Sequence, residues 1–412
     1  MADDKINWCN LPPRLIPHIF KHFTRLDDYL RARFACKKWS SNLPLTQSVL
    51  RPQPPLLMLP SLPDNTDAAR PFVDIPVRRA RLIPFPLPHP DTHCFSTSHG
   101  WLFFLGHSPT LSLFNPVTRQ TVYLPSLYTL PNGLLRYQPK INAEYVVRSD
   151  YPADEEVELP RKALIRFAVL SADPAADPEF EALILLHRVH KFVFRFRKCL
   201  GEAAKSNHSW TPVAINVPDP PFLVRDIIYA RGFRCVFAIG TGNKSLLVLS
   251  FPDGSSNADA IVTEMPDLPD STDSYLALTP KAGGWMLVTR HERLDAIGTG
   301  IRHFRVFLIE DGGQEALVTV KEAVNMAEYA VFVGPGSSVC VDTAFFPEYK
   351  ANRVYFIHDY YKTAAGWCLV GETVGRYDLQ LPISLLFRSL GPAMWFTPSL
   401  RALDSSEYWK TH

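Results

Sequence analysis

The chain has 412 residues, 46% hydrophobic and 20% charged, with 43 basic and 41 acidic side chains and a net charge of +2. That composition belongs to an ordinary globular protein long enough for one small domain and one large one. So slight a charge gives no general attraction to nucleic acid or to an anionic membrane. No uninterrupted apolar stretch approaches spanning length, and the opening MADDKINWCN has neither the basic region nor the apolar run of a secretory signal. Seven cysteines lie scattered from Cys9 to Cys368 without CxxC spacing, so free thiols in a reducing compartment are expected, with no metal and no cofactor. In that setting, cytoplasm or nucleus, the Asn-x-Ser matches at Asn207 and Asn243 carry no glycan.

The first predicted unit is helical. Leu11, Leu15, Ile19 and Phe23 recur every four residues with Ile16 and Phe20 beside them, a stripe wider than one small core consumes, so part of it is left for a partner. Asp27 or Asp28 is expected to cap a second helix with Leu30 and Phe34 on one face and Arg31 and Arg33 off it. The pattern runs on to Trp39, and Asn42 then Pro44 closes it. Pro17 is expected in the second turn of the first helix, where it removes a donor.

In sequence order the Leu-Pro, the spaced aliphatics, the Asp, the Arg-x-Arg and the Cys-Lys-x-Trp of residues 11–43 resemble an F-box, assigned here to residues 7–45. The resemblance implies docking onto the Skp-type adaptor of a cullin-type ubiquitin ligase. It implies adaptor contacts at Leu11, Pro12, Leu15, Ile16 and Ile19, with Leu30 and Cys36. A unit of about 40 residues buries little surface alone, and a partner would supply the rest.

Residues 46–70 read as a proline-rich connector; from Pro44 to Pro90 proline recurs and blocks long helices and inner ladders while Leu56–Leu59, Phe72 and Val73 are apolar, so the second half of that stretch reads as edge strands and extended pieces laid on the next domain. Arg78, Arg79 and Arg81 read as a solvated turn. From about residue 95 short segments rich in Val, Phe, Leu and Tyr, such as GWLFFL, ALIRFAVL, HKFVFRFR, GWMLVT and RVYFIHD, alternate with Gly, Pro, Asp and Asn turns. About 300 residues of this kind exceed one sandwich, and radial repetition of small sheets in five to seven blades of about 40–50 residues accounts for them. Recurrent Gly-aromatic-strand strings at His99, Arg231 and Gly284 agree. The expected fold class is therefore mainly β, a small α-helical F-box followed by a large degenerate β-propeller.

HGWL at His99–Leu102, LFNPVTRQTVYLP at Leu113–Pro125, the long segment Val331–Asp359 and MWFTPSL at Met394–Leu400 resemble the plant β-propeller domain of the KIB type, assigned to residues 71–400 with a tail at 401–412. The resemblance implies a substrate receptor without implying which substrate. Locally, Asn115-Pro116-Val117-Thr118 reads as a hairpin turn, and Gly334, Pro335 and Gly336 as a tight turn before a strand.

Signals for other chemistry are thin. GTGNKS at Gly240–Ser245 lacks the order of a phosphate loop and runs into a strand. His18 and His22 lack the intervening glutamate of a zinc protease, and His89, Asp91, His93, Cys94 and His99 match no closed ligand pattern. Asp342, Glu348 and Asp359 are the carboxylates a propeller hydrolase would need in its channel. In His187–Lys198, a strand places Phe194 and Phe196 on a face to bury and Lys191, Arg195 and Arg197 on an exposed basic stripe, which reads first as a solvated blade face and, as the alternative, as a docking surface for an acidic target segment.

The sequence thus points to a non-catalytic, substrate-recognition subunit of an SCF ubiquitin ligase: adaptor and cullin on one side, an unknown protein target on the other, no nucleic acid and no membrane. A scaffold that sequesters its partner shares these features. A propeller hydrolase or glycan binder would instead show converging carboxylates or an aromatic platform.

Overall fold

The fold is taken from a computed structural model. It describes residues 8–399 apart from 24, 44–52, 60–68, 77–78, 86–92, 98, 107–108, 132, 141–142, 151–152, 199–208, 216–222, 231–234, 242–244, 251–258, 265–272, 281–283, 295–299, 311–318, 324, 335, 359–363 and 370–393. The helical unit comprises two 3-10 turns and three helices, α1 (Ile16–Phe20), α2 (Leu26–Arg33) and α3 (Lys37–Asn42).

The strands build six four-stranded blades, the last two joined into one eight-stranded sheet. Blade 1 holds β1 (Leu56–Met58), β2 (Ala69–Asp74) and β3 (Arg79–Pro84); blade 2 holds β4 (His93–Ser96), β5 (Leu102–Leu105), β6 (Leu111–Asn115) and β7 (Gln120–Tyr123). A three-stranded insertion follows, β8 (Leu135–Tyr137), β9 (Tyr145–Asp150) and β10 (Ala153–Leu159). Blade 3 is β11 (Ile165–Leu170), β12 (Glu181–Leu186), β13 (Phe192–Arg197) and β14 (Thr211–Ala214), and blade 4 is β15 (Leu223–Ala230), β16 (Cys235–Thr241), β17 (Ser245–Ser250) and β18 (Asp259–Glu264). Blade 5 is β19 (Asp273–Leu278), β20 (Trp285–Leu294), β21 (Gly300–Glu310) and β22 (Thr319–Ala323). Blade 6 is β23 (Tyr329–Val333), β24 (Ser338–Asp342), β25 (Arg353–His358) and β26 (Ala364–Leu369), and β27 (Met394–Phe396) pairs with β1 to complete blade 1.

Ring closure follows from where the apolar side chains go. Successive inner strands touch, β27 with β4, β4 with β11, β11 with β15 and β15 with β19, while β19 pairs in parallel with β24. Six buried clusters fill the six blade-to-blade interfaces; Met58, Phe104 and Phe396 lie between blades 1 and 2, for example, and Val73, Phe332 and Trp395 between blades 6 and 1. Because each blade is covered on both faces, strands in the middle of a blade read as nearly continuous apolar runs, EALILL in β12 and YAVFV in β23 being buried throughout.

Blade 6 departs from the meander, with spatial order β24-β23-β25-β26 and a parallel β23–β25 pair. The crossover loop 343–352 that this demands carries Glu348 and the buried Tyr349. The C-terminal ends of the inner strands meet at one end of the ring: Trp101 Nε1 donates to Asp173 Oδ1 at 2.8 Å, and Ser399 Oγ donates to Asp173 Oδ2 at 3.0 Å. Asn115 behaves as the expected turn residue, its Oδ1 accepting from the amides of Val117 (2.9 Å) and Thr118 (3.2 Å), while its Nδ2 reaches the Ser399 carbonyl at 3.2 Å. Gly100 and Gly336 both need their glycine, since each has positive φ (78° and 93°) and a Cβ would strike Ser399 and Ser96 respectively.

The 46–70 segment is not merely a connector, because β1 lies within it and pairs on both sides. The tail at 401–412, with Arg78, His89, Asp91, Asn207, Asn243, Pro335 and Asp359, lies outside the described residues.

Candidate adaptor-docking surface and its seat on the propeller

The helical unit has its own small core of Ile16, Phe20, Leu26, Tyr29 and Leu43, all buried. Phe20 is its hub, with edge contacts to Tyr29 at 5.5 Å and Trp39 at 5.3 Å. Pro17 is exposed at the start of α1, not in a second turn as expected, because a 3-10 turn at Pro13–Leu15 precedes the helix. There its missing N–H has no intrahelical partner to lose, and the ring presets the helical φ.

Among the implied adaptor contacts, Pro12 and Leu15 are exposed, Leu15 at 43%, and Leu11, Ile19, Leu30 and Cys36 are part-exposed. Ile16 is not available: it is 0% exposed in the unit's own core. Phe34, expected on one face with Leu30, stands at the C-cap of α2 at 71% exposure with the Arg33 guanidinium 5.7 Å from its ring. Exposed apolar side chains outside the unit's core thus include Pro12, Leu15, Pro17 and Phe34. Cys36 precedes α3, and the backbone N–H of Trp39 draws its thiol pKa down.

Other residues of the unit are seated on the propeller. Arg25 bonds both Asp74, at the end of β2, and Glu348, in the blade 6 crossover. Asp27 does not cap α2 as expected but pairs with Arg81 of blade 1. The helix's first amide, Leu26 N, is satisfied from the propeller side by Gln53 Oε1 at 2.8 Å. Val117, in the Asn115 turn of blade 2, packs against the helical core. A cavity of about 40 Å³, lined by Arg25, Gln53, Phe72, Asp74 and Arg81, remains at this junction and suits a water molecule or two. Since Asp74, the Asn115 turn and the residues before β1 all lie at the C-terminal ends of the inner strands, the unit occupies that end of the ring.

The expected basic stripe does not form. Phe194 and Phe196 are buried as foreseen, but Arg195 is buried too, bonded to Glu181 and sharing that carboxylate with Tyr229 Oη at 3.2 Å from blade 4. The stripe's face is a blade-to-blade interface, which strand alternation alone does not reveal. Lys191 is exposed, and Arg197, 40% exposed, lies 3.6 Å from Glu181.

Nor do the hydrolase carboxylates gather. Glu348 is engaged by Arg25 and Asp342 Oδ1 accepts from the Ala344 amide at 2.9 Å. Cys94 is buried between blades 1 and 2, and no group of three metal-capable side chains occurs among the described residues.

Comparison with known proteins now decides the family. The KIB1-4 beta-propeller model matches residues 72–378, and the F-box domain model matches residues 8–42. This chain belongs to the KIB1-4 beta-propeller family. Its N-terminal unit is an F-box, and F-box domains generally bind Skp-type adaptors.

No curated protein matches. Solved structures are similar only distantly. A putative 6-phosphogluconolactonase from Bacteroides uniformis aligns at 13% identity and TM-score 0.32 over 66% of this chain and 84% of that one. A functionally unknown protein from Desulfotomaculum acetoxidans aligns at 9% and 0.36 over 83% and 99%. YCF48 bound to D1 peptide aligns at 13% and 0.30 over 66% and 82%. The F-box and propeller together support a substrate-recognition role of the general SCF kind, non-catalytic in itself.

Proposed function

We propose that this F-box protein of the KIB1-4 beta-propeller family recruits a protein target to a cullin-type ubiquitin ligase, its F-box held by a Skp-type adaptor and its propeller holding the target, in the cytoplasm or nucleus. The observation that supports this best is an F-box that is both seated and exposed. Arg25, Asp27 and Leu26 fix it to blades 1 and 6 and to Gln53, Val117 of blade 2 packs against its core, and Leu15 and Phe34 stay in solvent. Exposed apolar anchors on a small helical unit suit recognition by a few hot spots. A fixed seat suits a reaction that depends on position: holding target lysines near a thioester raises their effective concentration without any acid, base or nucleophile from this chain.

The test is calorimetric titration of the full-length chain with a Skp-type adaptor, alongside a Pro12→Ala, Leu15→Ala, Phe34→Ala variant. Binding that weakens at least tenfold in the variant supports the reading. An adaptor that ignores the wild-type chain, or binds the variant equally, overturns it.

A further inference from the structure

The end of the ring away from the F-box carries a different surface. Arg166 stands near the start of inner strand β11, about 13 Å along the strand from its last residue, Leu170, which leads to the Asp173 end. The β11–β12 register steps from Ile165–Leu186 to Phe167–Leu185, so Arg166 is the extra residue of a β-bulge. One blade on, the β15–β16 register steps from Val224–Gly240 to Ile227–Ala238, so Arg225 and Asp226 bulge at the corresponding place. Bulges re-aim side chains at rims and next to sites. Here the second one sends Asp226 inward, where it accepts from the Leu276 amide of blade 5 at 2.7 Å, and leaves Arg225 34% exposed at the mouth.

Among the described residues the charges at this mouth are unbalanced. Burial, and after it the charge of Arg225, pull the Arg166 pKa down to about 10. No carboxylate is bonded to Arg166 among the described residues. Arg225 reaches Asp273 only at 4.0 Å, and that carboxylate is bonded to Arg290. His187 and His190, in the turn from β12 to β13, complete the group; burial and Arg166 hold both imidazoles below their ordinary pKa. The nearby acid, Asp150, is occupied by the amides of His190 (2.8 Å) and Lys191 (2.6 Å).

We propose that Arg166 and Arg225 anchor a binding site for a phosphorylated segment of the target polypeptide, at the propeller mouth opposite the F-box. Two guanidinium groups on touching inner strands that repel each other are relieved by one compact dianion, which offers each planar fork a pair of oxygens; a single carboxylate balances only one of them. Neutral imidazoles add N–H donors without adding charge. That the segment belongs to a ubiquitination target rests on the function proposed above; the anion site itself does not.

The experiment is fluorescence anisotropy of the full-length chain with a labelled Gly-Ser peptide carrying two phosphoserines, against the same peptide with serines and with glutamates. The phosphopeptide is expected to bind at least tenfold more tightly than either. Arg166→Gln and Arg225→Gln should each weaken it at least tenfold, while Arg136→Gln with Arg148→Gln on the exposed insertion sheet leaves it unchanged. Should a glutamine variant lose its cooperative melt, Arg166→Lys with Arg225→Lys keeps the charge and removes the fork, and a tenfold loss is expected there too. Glutamate binding equal to phosphoserine, affinity unmoved by these substitutions, or absence of binding overturns the proposal. Adaptor titration of the same variants should be unchanged, which separates failure of this site from failure of the ligase reading.

Discussion

Replacing Arg25 by alanine tests whether the F-box is held by the propeller or merely tethered to it. The substitution removes two ionic contacts and leaves Asp74, whose side chain is 10% exposed, and Glu348, 23% exposed, facing each other without their shared cation. Hydrogen bonds to charged groups contribute about 1.5–3 kcal/mol when buried, and exposed ion pairs about 0–1 kcal/mol. Partners this far from full burial place each contact near the lower of the two, about 1–1.5 kcal/mol, so the seat should lose about 2–3 kcal/mol. That corresponds to about 30- to 150-fold more frequent opening of the helical unit.

Native-state hydrogen exchange reads it residue by residue. The amides of Lys21, Tyr29 and Phe34, each bonded inside the F-box, should exchange faster by that factor, whereas Thr97 and Leu124 in blade 2 should not change. A double-mutant cycle with Asp74→Asn should return a coupling of about 1–2 kcal/mol. Equal acceleration in both domains, or strict additivity with Asp74→Asn, would refute the seat.

Two further outcomes follow from burial. Ile16→Ala should lower F-box stability by about 2–5 kcal/mol through the cavity it leaves, whereas Leu15→Ala and Phe34→Ala should weaken adaptor binding with melting temperature unchanged; thermal melts beside calorimetry separate them. Asp226 is pushed up to about 7 by burial, partly offset by the Leu276 and Ile227 amides. An acid whose folded pKa lies above its unfolded value binds more protons when folded. Its contribution is therefore complete below about pH 4 and is lost as pH rises to about 7, a change of a few kcal/mol. Melting temperature should accordingly fall between pH 5 and pH 8, and Asp226→Asn should flatten that slope; an unchanged slope counts against it.

Much of the fold was legible because blade strands are short, rich in β-branched and aromatic residues and cut by turn residues. The Asn115 turn did what its sequence implied. What escaped reading was anything set by which blade lies beside which. Arg195 looks like an exposed stripe residue on its own strand and is buried only because blade 4 covers it. The bulges at Arg166 and Arg225 have no local signature, being differences in register between two strands. Within the F-box the apolar stripe was visible, but whether Ile16 or Leu15 faces inward depends on where the 3-10 turn gives way to α1. Arg25, the seat's main anchor, carries no motif and finds its partners 49 and 323 residues away.

Ring closure and F-box orientation are coupled through blade 1. Its inner strand β27 comes from the C-terminal side of the chain and pairs with β1, and Gln53, which holds the first amide of α2, lies just before β1. Trp395 in β27 is 1% exposed, donates from Nε1 to the Val333 carbonyl at 3.0 Å and packs on Phe332 at 5.1 Å. Trp395→Ala should cost about 3–5 kcal/mol, and the damage should not stay in blade 1: loosening β27 frees β1, then Gln53, then the start of α2. Exchange at Tyr29 should therefore rise along with exchange in blades 1 and 6, in contrast to Arg25→Ala, which loosens the F-box alone. An F-box left fully protected by Trp395→Ala would mean that the charged contacts hold it without the strand pair, and that closure of the ring and presentation of the adaptor surface are independent.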